Sequence, residues 1–288
     1  MRRIFSFLVP SLLLCFLTAP ARAQPPVWIV HGPHATLILF GSIHLLPPGL
    51  DWEPPRLKQA LSEANELWFE IPFDQSASLA AFQEATRRGH QPQGHTLDDD
   101  LDASGRAKLA LAAKTCGLPL DGVNQLRPWY ADMLLSVASI RQYGAGAEGG
   151  VEQTLSAANA AVSRHAFETI DQQIGFFADA PMSDQLDSLK ETMSEIQEGP
   201  DEYRKLVKAW MAGDTRAIQR EAIEPLMKQA PGVYRTLVVA RNRRWLDQIN
   251  ARLQGNGEAV MVVGVGHLIG PDSVPALLRR EGVVVEGP

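Results

Sequence analysis

Leu37-Ile38-Leu39-Phe40-Gly41-Ser42-Ile43-His44-Leu45 has a near-copy towards the other end of the chain, Val260-Met261-Val262-Val263-Gly264-Val265-Gly266-His267-Leu268. Each is an apolar run followed by Gly-x-x-His-Leu, and each has a proline four residues past the histidine, Pro48 and Pro271. A run that is apolar at both alternating positions suits a strand buried on both faces, as in a parallel sheet. The glycine lets the backbone turn where a side chain would clash. Both histidines therefore fall at the C-terminal edge of buried strands, where α/β sheets gather functional groups.

Working outward from the first copy, residues 27–30 read as a strand and His31-Gly32-Pro33-His34 as a turn, so that 36–40 closes a hairpin. After His44, Pro54 and Pro55 open a helix carried by residues 56–64. Residues 66–71 form a further strand, stopped by Pro72. Strand, loop, helix and strand predict a right-handed crossover between parallel strands. The second copy is framed alike: strand 259–263, the Gly-x-x-His loop, helix 271–281 and strand 283–285. The expected fold is α/β, a central mostly parallel sheet from two pseudo-repeated strand–loop–helix–strand units. Residues 76–254 are a large helical insertion between them.

Within the insertion, helical spacing predicts helices over 76–89, 103–116, 129–143, 151–163, 183–197, 202–212, 215–229 and 233–253. Ser183 and Asp201 are expected N-caps, and Gly89, Gly117, Gly213 and Gly255 expected stops. Residues 166–168 read as a short strand. The glycine-rich stretch 144–150 reads as a mobile loop.

The first 23 residues are expected to leave the mature protein. Arg2-Arg3, an apolar run and Ala21-Arg22-Ala23 have the pattern of a secretory signal peptide. The mature chain, 24–288, is thus expected in the periplasm or outside a bacterial cell. Removing Arg2, Arg3 and Arg22 leaves 24 basic against 33 acidic side chains, a net of −9. Such a chain is a poor partner for nucleic acid. No later apolar run reaches the ~18–20 residues that a spanning helix needs, so no membrane span is expected in the mature chain. Cys116 alone remains after cleavage, which excludes an internal disulfide and suits a small core residue.

The chemistry-bearing candidates are His44, His267 and Glu70. Neutral imidazole is the commonest metal ligand near neutral pH. A carboxylate closing an apolar strand, as Glu70 does, is costly to bury without a partner. Two histidines and a glutamate make an open metal set with room for water. A divalent metal there would lower the pKa of bound water towards ~7 and polarise a carbonyl, which is hydrolytic chemistry. Glu70 could serve as a ligand or as the general base. Imidazole and carboxylate suit zinc, manganese, cobalt and iron alike. His31, His34, His90, His95 and His165 carry no comparable pattern. Asp98-Asp99-Asp100 reads as a charged helix start.

These motifs resemble the TraB/PrgY/GumN family, which includes the Tiki proteins. The resemblance is carried by both Gly-x-x-His motifs, the strand ending at Glu70, Phe167-Glu168-Thr169 with Gln173, Arg241-Asn242 with Trp245, and His267-Leu268-Ile269-Gly270. It covers nearly the whole mature chain. It implies a fold similar to the erythromycin-esterase and ChaN-like proteins and, through Tiki, a metal-dependent peptidase favouring manganese or cobalt. It also implies Arg241 and Asn242 as further catalytic candidates, Arg241 for an oxyanion or a substrate carboxylate. Glu168 and Gln173 become candidates for facing the substrate or supporting the site. Where relatives usually carry Gly-x-Asp, this chain has Gly150-Val151-Glu152. The expected function is a metal-dependent hydrolase acting on a peptide or another small hydrolysable substrate. The alternatives are a ChaN-like protein that binds heme or another ligand without turnover, and a protein that sequesters a pheromone peptide.

Overall fold

A computed structural model describes residues 24–159 and 161–288. The expected signal peptide lies outside the described residues. Six strands form one sheet: β1 (Val27–His31), β2 (Ala35–Ser42), β3 (Glu66–Phe69), β4 (Ser163–Ala166), β5 (Gly257–Gly264) and β6 (Val284–Glu286). Their order is β4-β3-β5-β2-β1-β6. β2, β5, β3 and β4 run parallel, while β1 is antiparallel to both β2 and β6. The sheet is mixed and mostly parallel, with many helices, as an α/β fold requires.

The two near-copies are direct neighbours at its centre. β2 pairs with β5 from Ala35↔Gly257 to Ser42↔Gly264. Both strands are buried almost throughout, which is why both read as unbroken apolar runs. Their register is offset by one residue relative to the motif, since Gly41 faces Val263 and not Gly264. A one-residue shift turns equivalent side chains to opposite faces. The two histidine loops therefore leave the sheet differently.

The connections after the two strands diverge. From β2 the chain passes β5 to reach β3; from β5 it passes β2 and β1 to reach β6. The carboxyl ends of β2 and β5 form a topological switch point, the usual ligand site of open α/β sheets. If both crossovers take the usual right hand, running in opposite directions, helices Pro55–Glu63 and Val274–Arg280 fall on opposite faces of the sheet. The second unit thus keeps the predicted element order, but its last strand pairs antiparallel with β1 at the sheet edge.

Aromatic packing fixes the β2 end. Phe40, Trp52 and Trp210 form a triangle with ring centroids 5.6, 6.1 and 5.9 Å apart. The Trp210 indole donates to the Gly41 carbonyl at 2.8 Å. The helical insertion has a separate apolar cluster around Leu97, Leu109, Leu135, Leu189 and Met193.

Several expected boundaries move. Helices start at Met182 and Asp201 because Pro181 and Pro200 take the cap positions, not Ser183 and Asp201. The helix from Val151 stops at Ala158, and β4 starts at Ser163, before the strand expected at 166–168. Pairing nevertheless continues past β4: Phe167 and Glu168 N–H donate to Phe69 and Glu70 O at 3.0 and 2.9 Å. Two expected long helices contain π turns, Gln219–Ile223 and Arg235–Ala240. The stretch 144–150 is anchored, since Leu46 and Gly146 exchange backbone hydrogen bonds of 3.2 and 3.1 Å. A methyl group on Gly149 or Gly150 would collide with the Leu46 or His44 carbonyl. Those glycines serve close backbone approach.

Candidate functional site

β3 ends at Phe69 and delivers Glu70 to the sheet edge beside β5. One carboxylate oxygen, Oε1, accepts the Gly264 N–H at 2.7 Å. The other accepts Arg241 Nη2 at 2.5 Å and Gln173 Nε2 at 3.2 Å. Burial pushes the Glu70 pKa up, but Arg241, both histidines and the Gly264 N–H outweigh it and hold the carboxyl well below its usual range.

Arg241 starts the helix Arg241–Leu253 immediately after a π turn. Such turns add a residue to the helical spacing and recur at functional sites. Its Nε donates to both oxygens of Glu168 at 3.0 and 3.1 Å, and its Nη2 donates to Glu168 at 2.8 Å. The Trp245 indole also donates to Glu168, at 3.0 Å. Nη1 lies 3.2 Å from His267 Nε2. The guanidinium is thus forked between two buried carboxylates, a strong charge-assisted arrangement. The faces of Phe176 and Trp245 flank it at 5.5 and 5.0 Å.

His267 ends a short 3₁₀ turn after β5. Its Nδ1 lies 2.6 Å from Asn242 Oδ1, which can only accept, so the proton sits on Nδ1 and the lone pair on Nε2. Asn242 is held by its own bond to the Asp272 carbonyl at 2.8 Å. Burial, with Arg241 and His44 adding to it against the pull of Glu70, lowers the His267 pKa to about 3. The ring is neutral at ordinary pH.

His44 follows β2 and is the solvent-facing member, with 63% of its side chain exposed against 8% for His267. Its Nδ1 lies 2.7 Å from Glu152 Oε1, which also accepts Ser42 Oγ at 2.5 Å. The Glu152 carboxylate raises the His44 pKa to about 9. Glu152 in turn is held below its usual range by His44 and Ser42 despite its burial. Sequence reasoning noted Glu152 as a departure from the family pattern but did not put it in the site. Its signal was a carboxylate two residues after paired glycines.

The candidates converge over Gly264. A methyl group there would lie 3.2 Å from Glu70 Oε1, 3.6 Å from His44 Nε2 and 3.8 Å from His267 Cδ2. His267 Nε2 and Glu70 Oε1 are 3.8 Å apart. Two donors on one tetrahedral metal would be ~3.4 Å apart, from bond lengths of ~2.1 Å. Among the described residues, however, no group of three or more His, Cys, Asp or Glu side chains is arranged to hold a metal ion. The nitrogens and oxygens concerned are already engaged within the protein. Arg241 covers the His267 lone pair, and Glu152 favours the protonated form of His44. The donor chemistry still suits a divalent cation. Each imidazole is gripped at Nδ1 by an oxygen, the usual way of presenting Nε2 to a metal. Three carboxylates, Glu70, Glu152 and Glu168, face only two cations, Arg241 and His44. His44, His267 and Glu70 are the residues that could hold the ion. Arg241 and Asn242 stand beside them and position His267 and Glu70.

Among the described residues, no helix is long and apolar enough to cross a membrane. No solved structure matches the chain. An uncharacterized protein from Treponema pallidum (strain Nichols) is 18% identical over 265 residues, covering 88% of this chain and 80% of that protein. The family model for TraB/PrgY/gumN matches residues 26–287, from before β1 to the end of β6. The paired histidine loops and the carboxylates between them lie wholly within that match, and the chain belongs to the TraB/PrgY/gumN family.

Proposed function

We propose that this protein is an exported metal-dependent hydrolase of peptidase type, with His44, His267 and Glu70 as the metal-holding set. The observation that carries the reading is the convergence of these three side chains over Gly264, at a switch point of the sheet. A bound manganese, cobalt or zinc ion would supply Lewis acidity and a water that ionises near neutral pH. The chain's own residues supply the rest. Asn242 and Glu152 fix the ring orientations of the two histidines. Arg241 and the Gly264 N–H help keep Glu70 ionised, which suits a ligand or charge-stabilising role better than a general base, whose pKa should lie near the working pH. The Arg241 guanidinium is rigidly held by Glu168 and can stabilise charge that develops on a substrate oxygen.

The heme-holding alternative has less support. His267 is buried, with 8% of its side chain exposed, and a planar macrocycle needs far more room beside it than a single ion does. Export rests on the charged, apolar and small-residue segments ahead of Gln24; N-terminal sequencing of protein recovered from a periplasmic extract should start there. Elemental analysis of the purified protein tests the metal reading. Roughly one divalent ion per chain is expected, lost in the His44→Ala, His267→Ala double variant. A peptide-library cleavage screen with manganese, cobalt and zinc restored in turn tests the reaction. Equal metal content in wild type and double variant, with no cleavage under any metal, would sink the proposal.

A further inference from the structure

The helical insertion holds a half-open cavity of about 370 Å³ between the helices Pro128–Gln142, Met182–Glu198 and Asp201–Met211, bordered on its remaining side by residues from the segment 221–230. That volume lies in the range of small-ligand pockets, ~300–1,000 Å³. Four glutamates line it, Glu191, Glu195, Glu202 and Glu221, and among the described residues no lysine, arginine or histidine does. Glu202 and Glu221 have outward partners, Lys205 and Arg220. The Glu195 side chain makes no hydrogen bond or ion pair with the described residues. Glu195 is exposed at the cavity mouth; partial desolvation there, with the like charges of Glu191, Asp132, Glu198 and Glu202, pushes its pKa up to about 7.

A second feature points to a ligand. Ser139 lines the same cavity, is 9% exposed, and its hydroxyl makes no hydrogen bond with the described residues. That hydroxyl is left to accept from, or donate to, a polar group that enters the cavity. The remaining walls are apolar, with Ile140, Ile196, Leu206 and Leu226 beside the Tyr143 and Tyr203 rings. Carboxylates on an apolar, aromatic-walled cavity suit an ammonium group on a hydrocarbon stem.

One wall of the cavity, Tyr203, borders the His44 loop, and the π turn beside the cavity reaches the His267 loop. Tyr203 OH donates to the Leu45 carbonyl, next to His44, at 2.9 Å. Ile223, at the end of the π turn, lies 3.2 Å from where a Gly266 side chain would start, next to His267. We propose that this cavity receives a primary ammonium group carried on an apolar stem, and that it is the substrate pocket beside the His44–His267 site. Its role as a substrate pocket rests on the hydrolase reading; its binding of the amine does not.

Calorimetric titration of the full mature chain with n-hexylamine and with n-hexanol tests the binding. The amine should bind at least tenfold more tightly than the alcohol. Glu195→Gln should weaken the amine about tenfold, and Ser139→Leu, which removes the hydroxyl and narrows the cavity, should weaken both. Glu195→Gln removes like-charge repulsion, so its fold is not at risk. No amine binding, equal binding of the alcohol, or binding indifferent to both substitutions would overturn the proposal. A cleavage screen on peptides with lysine or norleucine near the scissile bond then separates the two readings. A lysine preference that shrinks in Glu195→Gln supports both. Amine binding without cleavage of any peptide keeps the cavity as an amine site and removes the hydrolase reading. Cleavage that ignores the charge, with no amine binding, removes the cavity and keeps the hydrolase.

Discussion

Arg241 decides whether Glu70 and Glu168 can be buried at all. It is 5% exposed and bonds both carboxylates. Removing one partner of a buried ion pair costs ~3–5 kcal/mol, because the other charge is left uncompensated. Arg241→Met should therefore lower the urea-unfolding free energy by about that amount. Arg241→Lys should fall between, since lysine keeps the charge but not the fork that grips both acids. A loss below ~1 kcal/mol for the methionine variant would contradict this account of the network. His44 gives the residue-scale pH prediction. Its folded pKa is about 9, above the ordinary value of 6.5, because of Glu152. The contribution to stability is then fully present below pH 6.5 and is lost as pH rises through about 9. Exposure of the ring moderates its size. In metal-free protein, the His44 ring signal should titrate near 9, and in Glu152→Gln it should move back towards 6.5. His44, His267 and Glu70 were legible in the sequence because each sits in a local strand-end pattern. Glu152 was not legible as the His44 partner, because it is 108 residues away and only packing brings them together.

At the scale of elements, the loop that carries Glu152 behaves differently from its composition. Glycine content reports local freedom, and so 144–150 reads as mobile from sequence. The neighbouring segment Ile43–Pro47 decides otherwise, by covering Gly149 and Gly150 so closely that no Cβ fits. Gly150→Ala should cost at least the ~1–3 kcal/mol of overpacking and should also pull Glu152 away from His44. Gly144→Ala is the control: its φ is +78° with nothing within 4 Å, so it should cost ~1–2 kcal/mol of backbone strain and leave the His44 titration unchanged. Thermal melts and the His44 ring signal measure both effects. If the two variants shift His44 equally, the loop is not what holds Glu152. The π turns were hidden for a related reason. A single added residue leaves helical periodicity intact over long windows, yet it changes which side Arg241 faces. The strand expected at 166–168 failed only in its bounds, because Phe167 and Glu168 still bond to β3 backbone without regular geometry.

For the whole molecule, sequence reading located the two histidine loops at one sheet edge but not the order of strands. That order depends on pairing between segments separated by more than 200 residues, such as Ser42 with Gly264. It makes the ends of the chain unequal in a way that can be tested. β6 is an edge strand with exposed or half-buried residues, tied to β1 by a short antiparallel ladder and by Trp28 Nε1 donating to the Pro288 carbonyl at 3.1 Å. β5 sits between β2 and β3, and its Val260, Met261 and Val262 are fully buried. A chain ended at Gly282 should therefore fold, with a melting temperature lower by several degrees, at ~2–4 °C per kcal/mol lost. A chain ended at Asn256 leaves β2 and β3 with no strand to join them. Hydrogen exchange should then find the β2 amides unprotected. The helices around Leu109, Leu135 and Leu189 should keep part of their protection, because their apolar cluster is separate from that of the sheet. Protected β2 amides in the shorter chain would mean that the sheet does not need β5. The switch point between β2 and β5 would then no longer explain why the two histidines meet.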